Sequence, residues 1–158
     1  MPSEPHILLL HGDDPNRISL EMRAIQEKFA DPSGAGLNIT RLDGARTSLA
    51  DLYQAVNALP FLSDRRLVLL PVLSSRLTDK NAREPFTKLL ESMPESTLLV
   101  MGLEDESRGR DRWMTLSATH WLRRWINEHP QKASLLPCTL LNQGQMTAWI
   151  VQETRSRG

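Results

Sequence analysis

The chain has 158 residues, 40% hydrophobic and 24% charged, with 19 basic side chains balancing 19 acidic ones; that suffices for one domain with a core plus a short appendage, and gives no long-range pull toward nucleic acid beyond what a local patch supplies. Cys138 is the only cysteine, which excludes an internal disulfide, and no run nears the roughly 20 apolar residues of a membrane span, nor does Met1–His6 have the basic start and apolar run of a secretion signal. A cytoplasmic location without membrane contact is the expectation.

Ile7–Leu10 is an apolar run without polar alternation, the pattern of a strand covered on both faces. Ile18, Met22, Ile25 and Phe29 then recur at three- and four-residue steps and predict an amphipathic helix over Ile18–Phe29, stopped by Asp31-Pro-Ser-Gly-Ala-Gly36. Leu37–Leu42 predicts a second strand. Leu49, Leu52, Val56 and Leu59 predict a second helix over Ser48–Leu59, with Thr47 or Ser48 as its cap and Asp51 in its first turn. Leu67–Leu70 is a third strand, Phe86–Met93 a third helix ended by Pro94, and Thr97–Met101 a fourth strand. Glu104–Arg112 mixes charges densely and reads as a mobile loop. Met114–Ile126 reads as a helix with Met114, Ala118, Trp121, Leu122 and Trp125 on one stripe. A weaker strand at Ala133–Leu136 precedes a linker over Pro137–Gly144 and a last helix over Gln145–Arg155, carrying Met146, Trp149 and Ile150. Strands alternating with helices predict a three-layer α/β domain around a parallel sheet. The last helix either folds back on that domain or opens a further one.

In an open α/β sheet, ligands bind beyond the carboxyl ends of the strands, so the loop after the first strand is the place to seek chemistry. Compared with a phosphate-binding P-loop, G-x-x-x-x-G-K-[ST], Gly12 stands at the first glycine and Ser19 at the hydroxyl residue, but Arg17 replaces the second glycine and Ile18 the lysine. Isoleucine brings no charge to a phosphate, an arginine crowds a turn built on close amide approach, and Asp13 and Asp14 put negative charge where an anion would sit. The third strand, which in a P-loop hydrolase ends in carboxylates serving magnesium and water, runs instead into Pro71 and Val72. The plainer reading of the same loop is a strand-to-helix turn at Gly12 with Asp13 or Asp14 as helix cap. A phosphoacceptor domain would need an aspartate after the third strand, and none stands there.

Other chemistry is thinly supported. His6, His11, His120 and His129 lack metal-ligand spacing, and Cys138 has no cysteine partner, so no metal site is expected. Glu104, Asp105 and Glu106 form a charge run with Arg108, Arg110 and Arg112, as on a solvated loop. Trp113, Trp121 and Trp125 read as core residues rather than base-stacking platforms. One segment stands apart: Leu59-Pro60-Phe61-Leu62 closes the second helix just before Arg65 and Arg66 open a strand. Proline lacks an amide donor and disfavours helix at the residue before it, so the helix ends there with large apolar residues in the loop. They either staple the helix to the sheet or stand exposed as anchors for a partner's pocket.

Taken together these residues resemble the delta subunit family of bacterial DNA polymerase III clamp loaders. His6-Ile-Leu-Leu-Leu-His-Gly-Asp-Asp-Pro15 is similar to that family's first strand and degenerate loop, and Asn38-Ile-Thr-Arg-Leu-Asp-Gly44 to its second strand and turn. Ala58-Leu-Pro-Phe-Leu-Ser-Asp-Arg-Arg-Leu-Val-Leu-Leu70 carries the most specific likeness, and Asn142–Gly158, with Trp149-Ile150, resembles the opening of a second, lid domain. The resemblance implies an AAA+-like (P-loop NTPase-like) fold over residues 1–140 with a five-stranded parallel sheet and a degenerate nucleotide site at Gly12, Asp13, Asp14, Arg17, Ile18 and Ser19. Residues 141–158 would be the linker and first helix of the second domain, making the chain a fragment about half the family's length. It implies a non-catalytic subunit that takes no cofactor, binds the sliding clamp (beta subunit), and favours its open form for loading onto primed DNA. Leu59 and Phe61 match the family's apolar anchor pair, with Pro60 between them and Leu62 as a close substitute. The gamma/tau and delta prime subunits would be met through C-terminal domains absent here, and DNA only in the assembled complex. A divergent P-loop nucleotide hydrolase is the alternative, and it needs a cation near Ile18.

Overall fold

A computed structural model of the chain describes residues 5–29, 34, 36–44, 46–108, 111–113, 116–117 and 119–139. Five strands form one wholly parallel sheet: β1 (Ile7–Gly12), β2 (Ile39–Arg41), β3 (Arg66–Leu70), β4 (Thr97–Glu104) and, after two short strands, β7 (Ala133–Pro137), in the order β2-β3-β4-β1-β7. The helices are α1 (Pro15–Lys28), α2 (Leu49–Asn57), the single turn α3 (Ser75–Thr78), α4 (Arg83–Ser92) and α5 (Trp121–Glu128). This is the expected three-layer AAA+-like architecture. The further domain expected over 141–158, with Met146, Trp149 and Ile150, lies outside the described residues.

Side-chain alternation along the strands builds the layers. Ile7 and Leu9 of β1, Val68 and Leu70 of β3, and Leu99, Met101 and Leu103 of β4 point to one face. There they meet Leu52 and Val56 of α2, Phe86, Leu89 and Leu90 of α4, and Leu122, Trp125 and Ile126 of α5. Leu8 and Leu10, Leu67 and Leu69, and Leu98 and Val100 point to the other face, which α1 covers with Ile18 and Met22. Both faces being dry explains why the strands read as unbroken apolar runs.

Element ends follow local chemistry. Asp14 caps α1, its carboxylate accepting from Arg17 N–H at 3.1 Å, and Pro15 occupies the first turn, where a missing amide costs nothing. The helix thus starts three residues before the first residue of the apolar stripe. Ser48, not Thr47, caps α2 in a reciprocal box: Asp51 N–H donates to Ser48 Oγ at 3.1 Å and Ser48 N–H to the Asp51 carboxylate at 3.0 Å. The Ser48 backbone N–H, followed by its hydroxyl, holds the Asp51 carboxyl below its ordinary pKa.

Four expectations are corrected. The helix expected from Met114 begins at Trp121, because His120 takes the cap, its Nδ1 accepting from Leu122 N–H at 3.1 Å after a turn closed by His120 N–H on the Ser117 carbonyl. Met114 and Ala118 lie outside the described residues. The charged stretch Glu104–Arg112 is not simply loop: β5 (Glu106–Arg108) pairs antiparallel with β6 (Asp111–Trp113). Pro137 ends a strand and Cys138 is fully buried, so neither belongs to a linker. Finally, α2 ends at Asn57, two residues before Leu59.

Candidate functional site

At the carboxyl end of β1 the chain packs against its own backbone. Gly12 has φ +141°, a backbone shape that favours glycine, and a Cβ there would collide with the Cys138 carbonyl oxygen. Cys138 is bound across this end: its N–H donates to the His11 carbonyl at 2.6 Å, and its carbonyl accepts from Asp14 N–H at 3.0 Å. Asp105 N–H donates to the Gly12 carbonyl at 2.8 Å. Only Asp13 and Asp14 separate β1 from α1. Ile18, at the lysine position, is 6% exposed and packs with Leu10, Leu69 and Val100 against the sheet. Arg17, half-buried, leans toward Glu21 at 4.0 Å, and Ser19 is exposed on α1. Of the six residues of the degenerate loop, Gly12 thus ends β1, Asp13 and Asp14 form the turn with Asp14 as the helix cap, and Arg17, Ile18 and Ser19 lie within α1.

Burial lowers the His11 pKa, helped by the nearby Arg123 charge and opposed by Asp105. The Cys138 thiol is pushed up to about 11, chiefly by burial, which keeps it protonated. Glu104 and Asp105 flank this strand end, Glu104 in register with Gly12. Sequence reasoning placed them in a solvated loop, since the pairing of β1 with β4 spans some ninety residues that no local pattern reports. Among the described residues no group of three or more His, Cys, Asp or Glu could hold a metal ion.

The apolar loop lies at the opposite end of the sheet's strands. It runs from the end of α2 to the start of β3, and so borders the amino ends of the parallel strands, whereas Gly12 is at a carboxyl end. Leu59 is 86% exposed, Phe61 52% and Leu62 76%, with Pro60 half-buried between them. They are not staples on the sheet. Leu37, also exposed, immediately precedes Asn38, whose side chain bonds to Phe61.

Buried chemistry holds the loop out. The α2 carbonyls that would continue the helix are taken from the sheet side: Arg66 Nε donates to the Ala55 carbonyl at 3.3 Å and Thr97 Oγ1 to the Val56 carbonyl at 2.7 Å. Val56 is the residue whose carbonyl a helical Pro60 would strike, so the Thr97 bond and the proline agree. Beyond the break, fully buried Asn38 grips the Phe61 backbone from both sides. Its Oδ1 accepts from Phe61 N–H at 2.6 Å, and its Nδ2 donates to the Phe61 carbonyl at 2.8 Å. Leu62 then turns with φ +52°, a left-handed shape seldom taken by a branched side chain. Neither Asn38 nor Thr97 was singled out from sequence, because each acts on a residue 23 and 41 positions away respectively.

A sequence model described as "DNA polymerase III, delta subunit" matches residues 8–123. Among solved structures, a Bacillus subtilis DNA clamp loader delta protein (YqeN) superposes with a TM-score of 0.72 at 17% identity, over 98% of this chain and 44% of that one. The chain thus spans less than half the length of that protein, and the likeness is one of fold. No curated protein sequence matches.

Proposed function

The chain belongs to the DNA polymerase III delta subunit family, and from that membership we propose that it is the part of a clamp-loader subunit that binds the sliding clamp and favours its open form for loading onto primed DNA. The observation that carries this reading is the exposed apolar loop, with Leu59, Phe61 and Leu62 all outside the core on a backbone anchored from within. Large apolar side chains set in a rigid loop suit insertion into a partner's pocket, because little conformational entropy remains to be lost on binding. The domain neither binds nor hydrolyses ATP in this proposal: Cys138 crosses the end of β1 and Ile18 lies in the core. The gamma/tau and delta prime subunits and DNA are met only in the assembled complex. Such a chain works in the cytoplasm; among the described residues no helix is long and apolar enough to cross a membrane.

The test is the double change Leu59→Ala with Phe61→Ala. Hot-spot side chains cost about 2 kcal/mol or more each when truncated, roughly thirtyfold in affinity. Binding to purified sliding clamp should therefore be nearly abolished, while the melting temperature stays close to the parent's because these side chains are exposed. A double mutant that binds as the parent does, or unfolds early, overturns the site.

A further inference from the structure

We infer that Asn38 is a positioning residue for the clamp-binding loop, its buried amide holding the Phe61 backbone in the shape that displays the anchors. The inference rests on the clamp-binding reading and adds to it the device that sets the loop. Asn38 is fully buried at the start of β2, on an edge of the sheet, and its own carbonyl accepts from Leu67 N–H at 2.7 Å, which fixes it to β3. Its side chain faces Phe61 with a donor and an acceptor, both used, as a neighbouring strand's backbone would be. An amide suits this task better than other side chains of its size. A carboxylate loses the donor, and leucine loses both bonds and leaves two backbone groups unmatched.

The grip falls on the residue whose display matters. Pro60 fixes φ on one side of Phe61, and Leu62 adopts φ +52° on the other, so the loop would relax to other shapes if Phe61 were released. Phe61, 52% exposed with its backbone held, presents its ring without needing to pack it. A binding-competent shape that is only fractionally populated weakens apparent affinity by that fraction. A loop freed to sample about ten comparable shapes would bind about tenfold more weakly.

The experiment compares four versions of the whole protein for binding to immobilised sliding clamp, each at a concentration of folded protein set by its melting curve: parent, Phe61→Ala, Asn38→Ala and Ser48→Ala. Hydrogen exchange at the Phe61 amide is read in parallel. Ser48→Ala removes the capping box at the far end of α2 without touching the loop, and controls for general loosening. The expected result is that Asn38→Ala binds about tenfold more weakly and loses protection at the Phe61 amide, whereas Ser48→Ala melts earlier but binds as the parent does. Asn38→Ala binding within twofold of the parent, or Ser48→Ala weakened as much as Asn38→Ala, overturns the inference while leaving the clamp reading intact. Phe61→Ala binding as the parent does overturns the clamp reading itself, and this inference with it. Should Asn38→Ala not fold, Asn38→Ser, neutral and too short to span both Phe61 backbone groups, is measured in its place, and the same outcomes decide.

Discussion

Two residues carry opposite lessons about strain and burial. Leu62 holds φ +52° in a loop tip with its side chain 76% exposed. That backbone shape costs a non-glycine residue about 1–2 kcal/mol, while glycine adds about 0.4–1 kcal/mol of unfolded-chain entropy. The two nearly offset, so Leu62→Gly should leave the melting temperature of the free protein nearly unchanged or slightly raised. Clamp binding should fall severalfold as the apolar contact is lost, which a parallel melting and binding measurement will read. Ile18 is the reverse case. Restoring the missing cation with Ile18→Lys would set an ammonium among Leu10, Leu69 and Val100. The loss of stability should be at least about 2 kcal/mol, the transfer term for one buried aliphatic side chain. Titration with magnesium-ATP should show no saturation below millimolar concentration, about −4 kcal/mol, for parent and variant alike. Micromolar binding by the variant would mean that charge alone had been lacking there.

Among the elements, legibility tracked the reach of the interaction that makes each one. The central strands β1, β3 and β4 were visible because burial on both faces leaves no polar positions to break the run, as in Leu67–Leu70 and Thr97–Met101. Helix faces were visible through spacing, and the caps Asp14 and Ser48 through residue type, but the start of α5 and the end of α2 were not. The start of α5 depends on His120 turning back on Leu122, and the end of α2 on Arg66 and Thr97 reaching from the sheet. The β5–β6 pair was missed because Glu106, Ser107 and Arg108 carry no apolar alternation. The loop sequence from Leu59 to Leu62 stood out as unusual, yet whether its side chains lay in or out turned on Asn38, which looked like an ordinary strand residue. Helix α2 also invites a separation of roles. Ser48→Ala removes its capping box and should cost about 1 kcal/mol, lowering the melting temperature by about 2–4 °C. It should leave clamp binding unchanged, since the loop is tied at the other end of the helix.

At the scale of the whole molecule, three histidines tie stability to acidity. Burial is the largest cause lowering the pKa of His6, His11 and His120. Both ring nitrogens of His6 are buried without a hydrogen-bond partner among the described residues. A histidine whose folded pKa lies below its unfolded value is held neutral by the fold, so below about pH 6.5 the unfolded chain binds more protons. Stability should accordingly be full above that pH and decline as acid is added, until the folded histidines themselves protonate. Melting curves from pH 7.5 to pH 5 at fixed ionic strength should show the decline, and His6→Leu should make it shallower. A flat profile would mean that these rings are more open to water than their burial implies.

The crossing of Cys138 over Gly12 joins two distant stretches of the sequence. A diffusing ligand that sought the end of β1 would compete with a tethered rival, the chain's own carbonyl and amide, already in place. Displacing them would first break the bonds that join Cys138 to His11 and Asp14. The turn after β1 and the end of β7 are therefore clasped as one piece, so that a change which loosens either should loosen both.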